Sequence, residues 1–192
     1  MEQSSIFLSY RRRDSSGYIG RVADHLESAF GETVFLDVDS IKPGSDWKKV
    51  LNEAVSRAQI VLAIIGDDWQ QALTTHSPDE TDFIRFELNL ARILDKLCIP
   101  VIFQGSKFDY DSDLGNLNWI KDLQFFELSD KQGRWEQDMT TLAEQIADMS
   151  GLIPMNSITE TKTGNSVNQY SKGDQSPNIN TKEGSVTITF EK

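Results

Sequence analysis

The 192-residue chain has few of the residues that form disulfide bonds or bind metal ions: one cysteine and two histidines. A single cysteine, Cys98, excludes an intramolecular disulfide framework. His25 and His76 lie too far apart in sequence to join Cys98 in a recognised metal-ligand spacing, so we expect no metal. No apolar run approaches the roughly 20 residues that span a bilayer, and no signal peptide is visible at the N-terminus. The sequence therefore predicts a cytoplasmic protein.

Positive charge is also scarce. The chain has 19 Lys and Arg against 30 Asp and Glu, which gives a formal net charge of −11. Binding to nucleic-acid phosphate or to an anionic membrane surface depends largely on lysine and arginine. We therefore expect neither nucleic acid nor a membrane among the partners. A local basic site within the acidic whole stays open.

The composition changes near Pro154. Residues 155–192 are rich in Asn, Ser, Thr and Gly and carry four lysines and four acidic residues, so the net charge of −11 belongs to residues 1–154. Such a polar stretch cannot bury enough apolar area to offset its own ordering entropy. Within it, residues 185–190 alternate strictly between apolar and polar, which is a strand signal. The sequence predicts one domain at 1–154, then a linker and polar tail that either stays disordered or forms a β-hairpin at 178–190.

Strand-like and helix-like runs alternate along residues 1–154. Six consecutive apolar residues at 60–65 are typical of a central parallel strand that is covered on both faces. This alternation predicts an α/β fold with a doubly wound, five-stranded parallel sheet. Ligands of such sheets bind outside the carboxyl ends of the strands. The predicted strands lie at 5–9, 34–36, 60–65, 99–103 and 125–128, and the predicted helices at 19–30, 47–55, 82–97 and 135–149.

Glu87 is the most informative residue of the chain. On a helix over 82–97, the apolar residues fill one broad arc, and Glu87 falls near its middle, one turn after Phe83. A carboxylate in that position must be paired, be neutral, or line a cavity. It is a candidate catalytic group. The alternative is a glutamate that forms an ion pair with an arginine across a packed interface, or one on a helix that is exposed at its start, and the pattern alone leaves these possibilities open.

A basic turn, residues 10–14, directly follows the first predicted strand. It places Arg11, Arg12 and Arg13 at the carboxyl end of the sheet, and the guanidinium group is suited to a bidentate grip on phosphate or carboxylate. The alternative is a solvated turn that pairs with the surplus acidic residues. No glycine-rich phosphate loop is present, which disfavours classical Rossmann and ATPase sites.

The loop at 37–47 is the third candidate for a functional segment, after Glu87 and the basic turn. Asp37 and Asp39 could bind a metal or a ligand, although paired acidic residues in loops are more often solvated or hydrogen-bonded locally. Ser45 or Asp46 can cap the following helix, which begins near Trp47.

The sequence does not indicate a serine or cysteine nucleophile. Neither histidine lies near a serine in a nucleophile-elbow pattern. Cys98 lies among apolar residues at a predicted helix–strand junction, where we expect an inert buried thiol. A phosphate-binding receiver domain would need a cluster of aspartates and a lysine at strand ends, which the sequence does not convincingly show.

Several segments, taken in order, resemble the Toll/interleukin-1 receptor (TIR) domain in its bacterial form, over residues 5–149. Residues 6–12 resemble the opening strand and its Ser-Tyr-Arg turn. Residues 35–44 resemble the second strand and the BB loop, and residues 58–69 resemble the third strand with the tryptophan after it. Residues 82–87 resemble the start of the helix that carries the catalytic glutamate of the family. The resemblance implies a flavodoxin-like fold.

For the NAD+-cleaving type of TIR domain, the resemblance implies an NAD+ glycohydrolase or ADP-ribose cyclase, with NAD+ as the substrate and no cofactor. It makes Glu87 the catalytic glutamate. Phe83 stands where the family often has tryptophan, which keeps an aromatic wall but loses the indole N–H and some stacking area. The substrate-binding residues that the resemblance implies come from the basic turn, the aromatic wall and a mobile loop: Tyr10, Arg11, Arg12, Phe83, Asp39 and Trp47.

The resemblance also implies partners and a setting. It implies self-association through TIR domains, an effector or sensor protein as a further partner, and a role in antiviral defence by signalling or NAD+ depletion. The alternative is a non-catalytic adaptor that acts through TIR–TIR contact. The retained glutamate favours the enzyme, and the change from tryptophan to Phe83 favours the adaptor.

Overall fold

The structure is a computed structural model that describes residues 6–31, 34–36, 42–75, 82–129, 131, 133–155, 178–182 and 185–189. The side chains of residues 12–16, 34–36 and the last two ranges lie outside this description. The chain divides into two compact units, Met1–Glu160 and Thr161–Lys192. The predicted domain boundary at residue 154 stays a prediction.

The first unit has a parallel sheet between two layers of helices. Its strands are β1 (Ile6–Ser9), β2 (Val34–Leu36), β3 (Ile60–Ile65), β4 (Leu97–Phe103) and β5 (Phe126–Leu128). They lie in the order β2-β1-β3-β4-β5, and each neighbouring pair is parallel. This is the order of flavodoxin-like folds, so the predicted α/β class is confirmed. The helices are α1 (Arg12–Phe30), α2 (Trp47–Arg57), α3 (Trp69–Thr75), α4 (Phe83–Ile93) and α5 (Arg134–Ser150), and a 3₁₀ helix spans Gly115–Asp122.

The central strand β3 shows why the sheet is covered on both faces. All six of its residues are buried. Because successive side chains of a strand point to opposite faces, Leu62 and Ile64 pack with residues of α1 and α5. Val61, Ala63 and Ile65 pack on the other face with residues of α2, α3 and α4. The uninterrupted apolar run is the sequence signature of this double coverage.

The structure differs from the sequence prediction in the segments between the strands. Helix α3 lies between the strand predicted at 60–65 and the helix predicted at 82–97, and the 3₁₀ helix lies between the strands predicted at 99–103 and 125–128, where no element was predicted. Helix α4 ends at Ile93 rather than at residue 97, because Asp95 adopts a left-handed conformation (φ 51°) and Leu97 already pairs with Ile60 in the sheet. Among the described residues, no helix combines the length and apolarity that a membrane crossing requires.

The second unit contains two strands, β6 (Asn178–Lys182) and β7 (Ser185–Thr189). They pair in antiparallel fashion, with Ile179 opposite Ile188 and Thr181 opposite Val186. Residues 183, 184 and 190 lie outside the described residues. The complete hairpin at 178–190 therefore stays a prediction.

Shortening a side chain of β3 tests the position of the core. We expect Leu62→Ala to lower the free energy of unfolding by about 2–5 kcal/mol, because it leaves a cavity between the sheet and α1. Ile93→Ala removes the same number of carbon atoms from a side chain that is 78% exposed at the end of α4, and should change stability by no more than about 0.5 kcal/mol. Denaturant titrations followed by circular dichroism measure both values. Equal losses for the two variants would contradict this assignment of the core.

Candidate active site

A buried hydrogen bond joins the sheet to helix α4. The Ser9 hydroxyl donates to Oε2 of Glu87 over 2.7 Å, and the residues are 1% and 5% exposed. Ser9 is the last residue of β1 and shares its face with Phe7, which packs on the α4 side of the sheet. Glu87 lies among the buried residues of α4, as its place in the apolar arc predicts. A buried carboxylate without such a donor would carry a large desolvation cost.

Asp82 fixes the start of α4 and connects it to the loop after β1. Its Oδ1 accepts hydrogen bonds from the backbone N–H groups of Ile84 (3.1 Å) and Arg85 (3.4 Å), which caps the helix. Its Oδ2 accepts a 2.9 Å hydrogen bond from Nη2 of Arg11, in an ion pair whose side chains are 5% and 14% exposed. Arg11 therefore holds the strand end that carries Ser9 against the helix that carries Glu87.

Arg85 holds α4 from another side. Its Nη1 donates to the carbonyl oxygen of Leu114 (2.7 Å) and to Oδ1 of Asn116 (2.9 Å), and its Nη2 donates to the carbonyl oxygen of Leu73 (2.9 Å). One guanidinium group thus connects α4 to α3 and to the start of the 3₁₀ helix. The position of Glu87 depends on these connections, because they fix the rotation and the height of α4.

An aromatic wall stands beside Glu87. The ring of Trp47 meets Phe83 edge to face, with centroids 4.8 Å apart, and meets Phe86 at 5.5 Å. Asp46 caps α2 and so fixes the start of the helix at Trp47. Its Oδ1 accepts hydrogen bonds from the backbone N–H groups of Lys48 and Lys49 in the first turn. Phe83 lies four residues before Glu87 and so on the same side of α4, and it is 36% exposed.

The structure brings only some of the predicted site residues together. Glu87 and Phe83 share one side of α4, with Trp47 against Phe83 and Arg11 at the start of the helix. Tyr10 instead packs, partly buried, with the cluster on the other face of the sheet. The side chain of Arg12, which begins α1, and the whole of Asp39 lie outside the described residues. Substrate contact by any of these residues stays a prediction.

Two residues of this site were not singled out by the sequence analysis. Ser9 was part of a motif but not of the predicted site, although strand alternation already placed it on the face of Phe7. Asp82 stands directly before a helical run, which is a recognised capping signal. Both could have been found locally, but their partners could not, because Glu87 and Arg11 are 78 and 71 residues away.

No group of three or more His, Cys, Asp or Glu side chains that could hold a metal ion occurs among the described residues. The described residues of the site offer the Glu87 carboxylate, the Ser9 hydroxyl that donates to it, and the aromatic rings of Trp47 and Phe83. A carboxylate of this kind can stabilise a positive charge that develops beside it.

Known proteins match this chain over most of the first unit. The family model for the TIR domain matches residues 6–143. Solved structures also match, among them the TIR domains in a structure titled as the activated Roq1 resistosome directly recognizing the pathogen effector XopQ. That similarity has a TM-score of 0.54 at 14% identity and covers 74% of this chain and 98% of that chain, so it shows the fold alone. A search of curated proteins found no match.

The cap of α4 can be tested against the cap of α2. We expect Asp46→Ala to cost about 1 kcal/mol of stability, the usual value for an exposed helix cap. Asp82→Ala should cost about 3–5 kcal/mol, because it also removes the nearly buried carboxylate that Arg11 contacts. Denaturant titrations of the two variants provide the comparison. A cost for Asp82→Ala no larger than that for Asp46→Ala would show that the Arg11 ion pair contributes nothing.

Cys98 should be unreactive in the folded protein. Cys98 is partly exposed as a residue but packs against the apolar core, and burial of its thiol raises the pKa of Cys98 to about 12. Since the thiolate is the reactive form, the folded protein at pH 8 should react with a thiol-specific disulfide reagent far more slowly than the protein in denaturant. Absorbance of the released thiol measures both rates. Rapid labelling without denaturant would contradict the expectation.

Proposed function

The chain belongs to the TIR domain family, and we propose that it cleaves the nicotinamide–ribose bond of NAD+ as a glycohydrolase or ADP-ribose cyclase. The observation that carries the proposal is the buried Glu87 carboxylate, which Ser9 holds at the carboxyl end of β1 beside the Trp47–Phe83 wall. In parallel α/β sheets this edge is where ligands bind. The resemblance of residues 82–87 to the catalytic helix of the family supports the same role for Glu87.

The reaction fits a site with one carboxylate. When the bond between ribose C1′ and the nicotinamide nitrogen breaks, its electron pair stays with the nitrogen and the pyridinium becomes neutral nicotinamide. The leaving group therefore needs no strong acid. The ribose gains oxocarbenium character, which the negative charge of Glu87 would stabilise. Water then adds to C1′ and loses a proton to give ADP-ribose, or a nitrogen of the adenine adds instead to give a cyclic product.

The surrounding residues would position the substrate. Ser9 orients the carboxylate through Oε2, and the rings of Trp47 and Phe83 offer apolar area for the planar nicotinamide. The pyrophosphate would need a cationic partner, for which Arg11 and Arg12 are the candidates. NAD+ is the substrate in this proposal, and no cofactor or metal takes part.

The proposal includes the setting that the family resemblance implies. We propose a cytoplasmic protein that self-associates through its TIR domain and acts in antiviral defence by depleting NAD+ or producing a signal, with an effector or sensor protein as a further partner. The matched TIR domains belong to a structure titled a resistosome, which supports self-association. The second candidate function, a non-catalytic adaptor, is favoured by Phe83 at the position where the family often has tryptophan.

Turnover of NAD+ by the purified protein at high concentration tests the proposal. We expect Glu87→Gln to lower kcat by at least about 100-fold, because it removes the stabilising charge while keeping the shape and an acceptor for Ser9. Ser9→Ala should lower kcat by about 10-fold or more, since small misplacement of a catalytic group is costly. Release of nicotinamide, followed by chromatography, measures the rate and identifies the product.

Glu53→Gln is the matched control, because Glu53 is half exposed on α2 and pairs only with Arg57 of its own helix among its described contacts. It should retain the rate of the original protein. Equal turnover by the Glu87→Gln variant would exclude Glu87 as the catalyst. A folded, self-associating protein without any turnover would instead support the adaptor.

A further inference from the structure

A separate cavity opens beside the last two strands of the sheet. It has a volume of about 320 Å³ and is lined by residues of β4, β5 and the loops that adjoin them. Ser9 is level with Ala63 of β3, and Ala63 with Pro100 of β4. The cavity begins at Ile102, further along β4 and two strands away from Ser9. None of its lining residues belongs to the Glu87 site.

Three aromatic rings form one side of this cavity. Phe108 meets Phe125 at 4.7 Å and Tyr110 at 4.9 Å between ring centroids, both edge to face, and Tyr110 lies 5.8 Å from Phe125. Phe108 also lies 6.4 Å from the buried Trp69, which anchors the cluster to the core. Tyr110 is 55% exposed, which is unusual for a large ring and leaves part of it available for contact.

The loop that carries two of these rings is held in place. Gln70 of α3 accepts a 2.7 Å hydrogen bond from the backbone N–H of Asp109 and donates a 2.8 Å hydrogen bond to its carbonyl oxygen. Asp109 lies between Phe108 and Tyr110, so this double hydrogen bond fixes the segment from which both rings project. A site that is ordered before binding loses less entropy when a ligand enters.

The charge of the lining has one sign. Among the described residues that line the cavity, Glu127 contributes a carboxylate, Gln124 an amide and Ser106 a hydroxyl, and none is a lysine, arginine or histidine. Glu127 is exposed and has no ion pair or hydrogen bond through its side chain with any other residue that the structure describes. A ligand with a positive charge would therefore gain Glu127 as a partner.

We propose that this cavity is a binding site for a small planar organic cation. The aromatic rings would contact the planar body, and the positive charge would be stabilised by the ring faces and by Glu127. A volume near the lower end of the range for ligand cavities suits a molecule of one ring rather than a nucleotide. The site is distinct from the proposed NAD+ cleavage site, and its occupancy does not depend on catalysis.

A pair of probes that differ only in charge tests the proposal. 1-Methylnicotinamide is a permanent cation, and nicotinamide is a neutral molecule with the same ring and amide. We expect the full-length protein to bind the cation about 3- to 30-fold more tightly, the range that a cation–π contact provides. Isothermal titration calorimetry, with NAD+ absent, gives both dissociation constants.

Variants then assign the binding to the cavity. Glu127→Gln should remove most of the preference for the cation while keeping the shape of the lining, and Tyr110→Ala should weaken both probes. Tyr110→Phe should retain binding, because it keeps the ring. Glu144→Gln, which removes an exposed charge on α5, is the matched control and should bind like the original protein.

Three results would overturn the proposal: equal affinity for the two probes, no detectable binding of the cation, or an unchanged preference in the Glu127→Gln variant. Loss of binding in Glu87→Gln but not in Glu127→Gln would place the probe in the Glu87 site instead, and would also count against it. Because the assay measures binding without NAD+, its failure would leave the proposed NAD+ cleavage untouched. Thermal melts of each variant distinguish loss of the site from loss of the fold.

Discussion

The burial of one carboxylate between the sheet and α4 is the constraint that organises this protein. A glutamate side chain at 5% exposure is tolerated only where polar partners replace the water that it lost, and the Ser9 hydroxyl at 2.7 Å is one of them. The hydrogen bond from Ser9 constrains the height and rotation of α4 against β1. Asp82 and Arg85 hold the helix in that position through contacts outside the core.

The same contacts give two arginine side chains of this acidic protein a structural role. Arg11 and Arg85 both hold α4, one at Asp82 and the other at backbone carbonyl groups and Asn116. Guanidinium groups suit this task because they donate several hydrogen bonds in a fixed plane. The basic turn after β1 is thus partly structural. The turn has three arginines, and Asp82 neutralises only one positive charge. In the proposed function, the remaining positive charge would bind the pyrophosphate.

The parallel sheet places two different chemical environments along its carboxyl-end half. At β1 a buried carboxylate accepts a hydrogen bond from Ser9, and the helix that carries it also presents Phe83 to Trp47, whereas beside β4 and β5 an exposed carboxylate adjoins a cluster of three rings. Both combinations suit positive charge, one that develops during bond cleavage and one that a ligand brings with it. Both environments lie at the same edge of the sheet because the carboxyl ends of all parallel strands lie there.

The amino-acid sequence by itself determined the class of the fold, the central strand at 60–65 and the place of Glu87 in the apolar arc of its helix, because each of these follows from local periodicity. It also contained the motifs that resemble a TIR domain. It did not determine that α4 stops at Ile93, since the apolar residues beyond it suit a helix or a strand equally well until Leu97 pairs with β3. Only the tertiary structure decided that Ser9 meets Glu87, that Arg11 meets Asp82, and that Tyr10 lies on the other face of the sheet. Those contacts join residues that are far apart in the chain or depend on which face of a strand is covered, and periodicity carries no information about the partner.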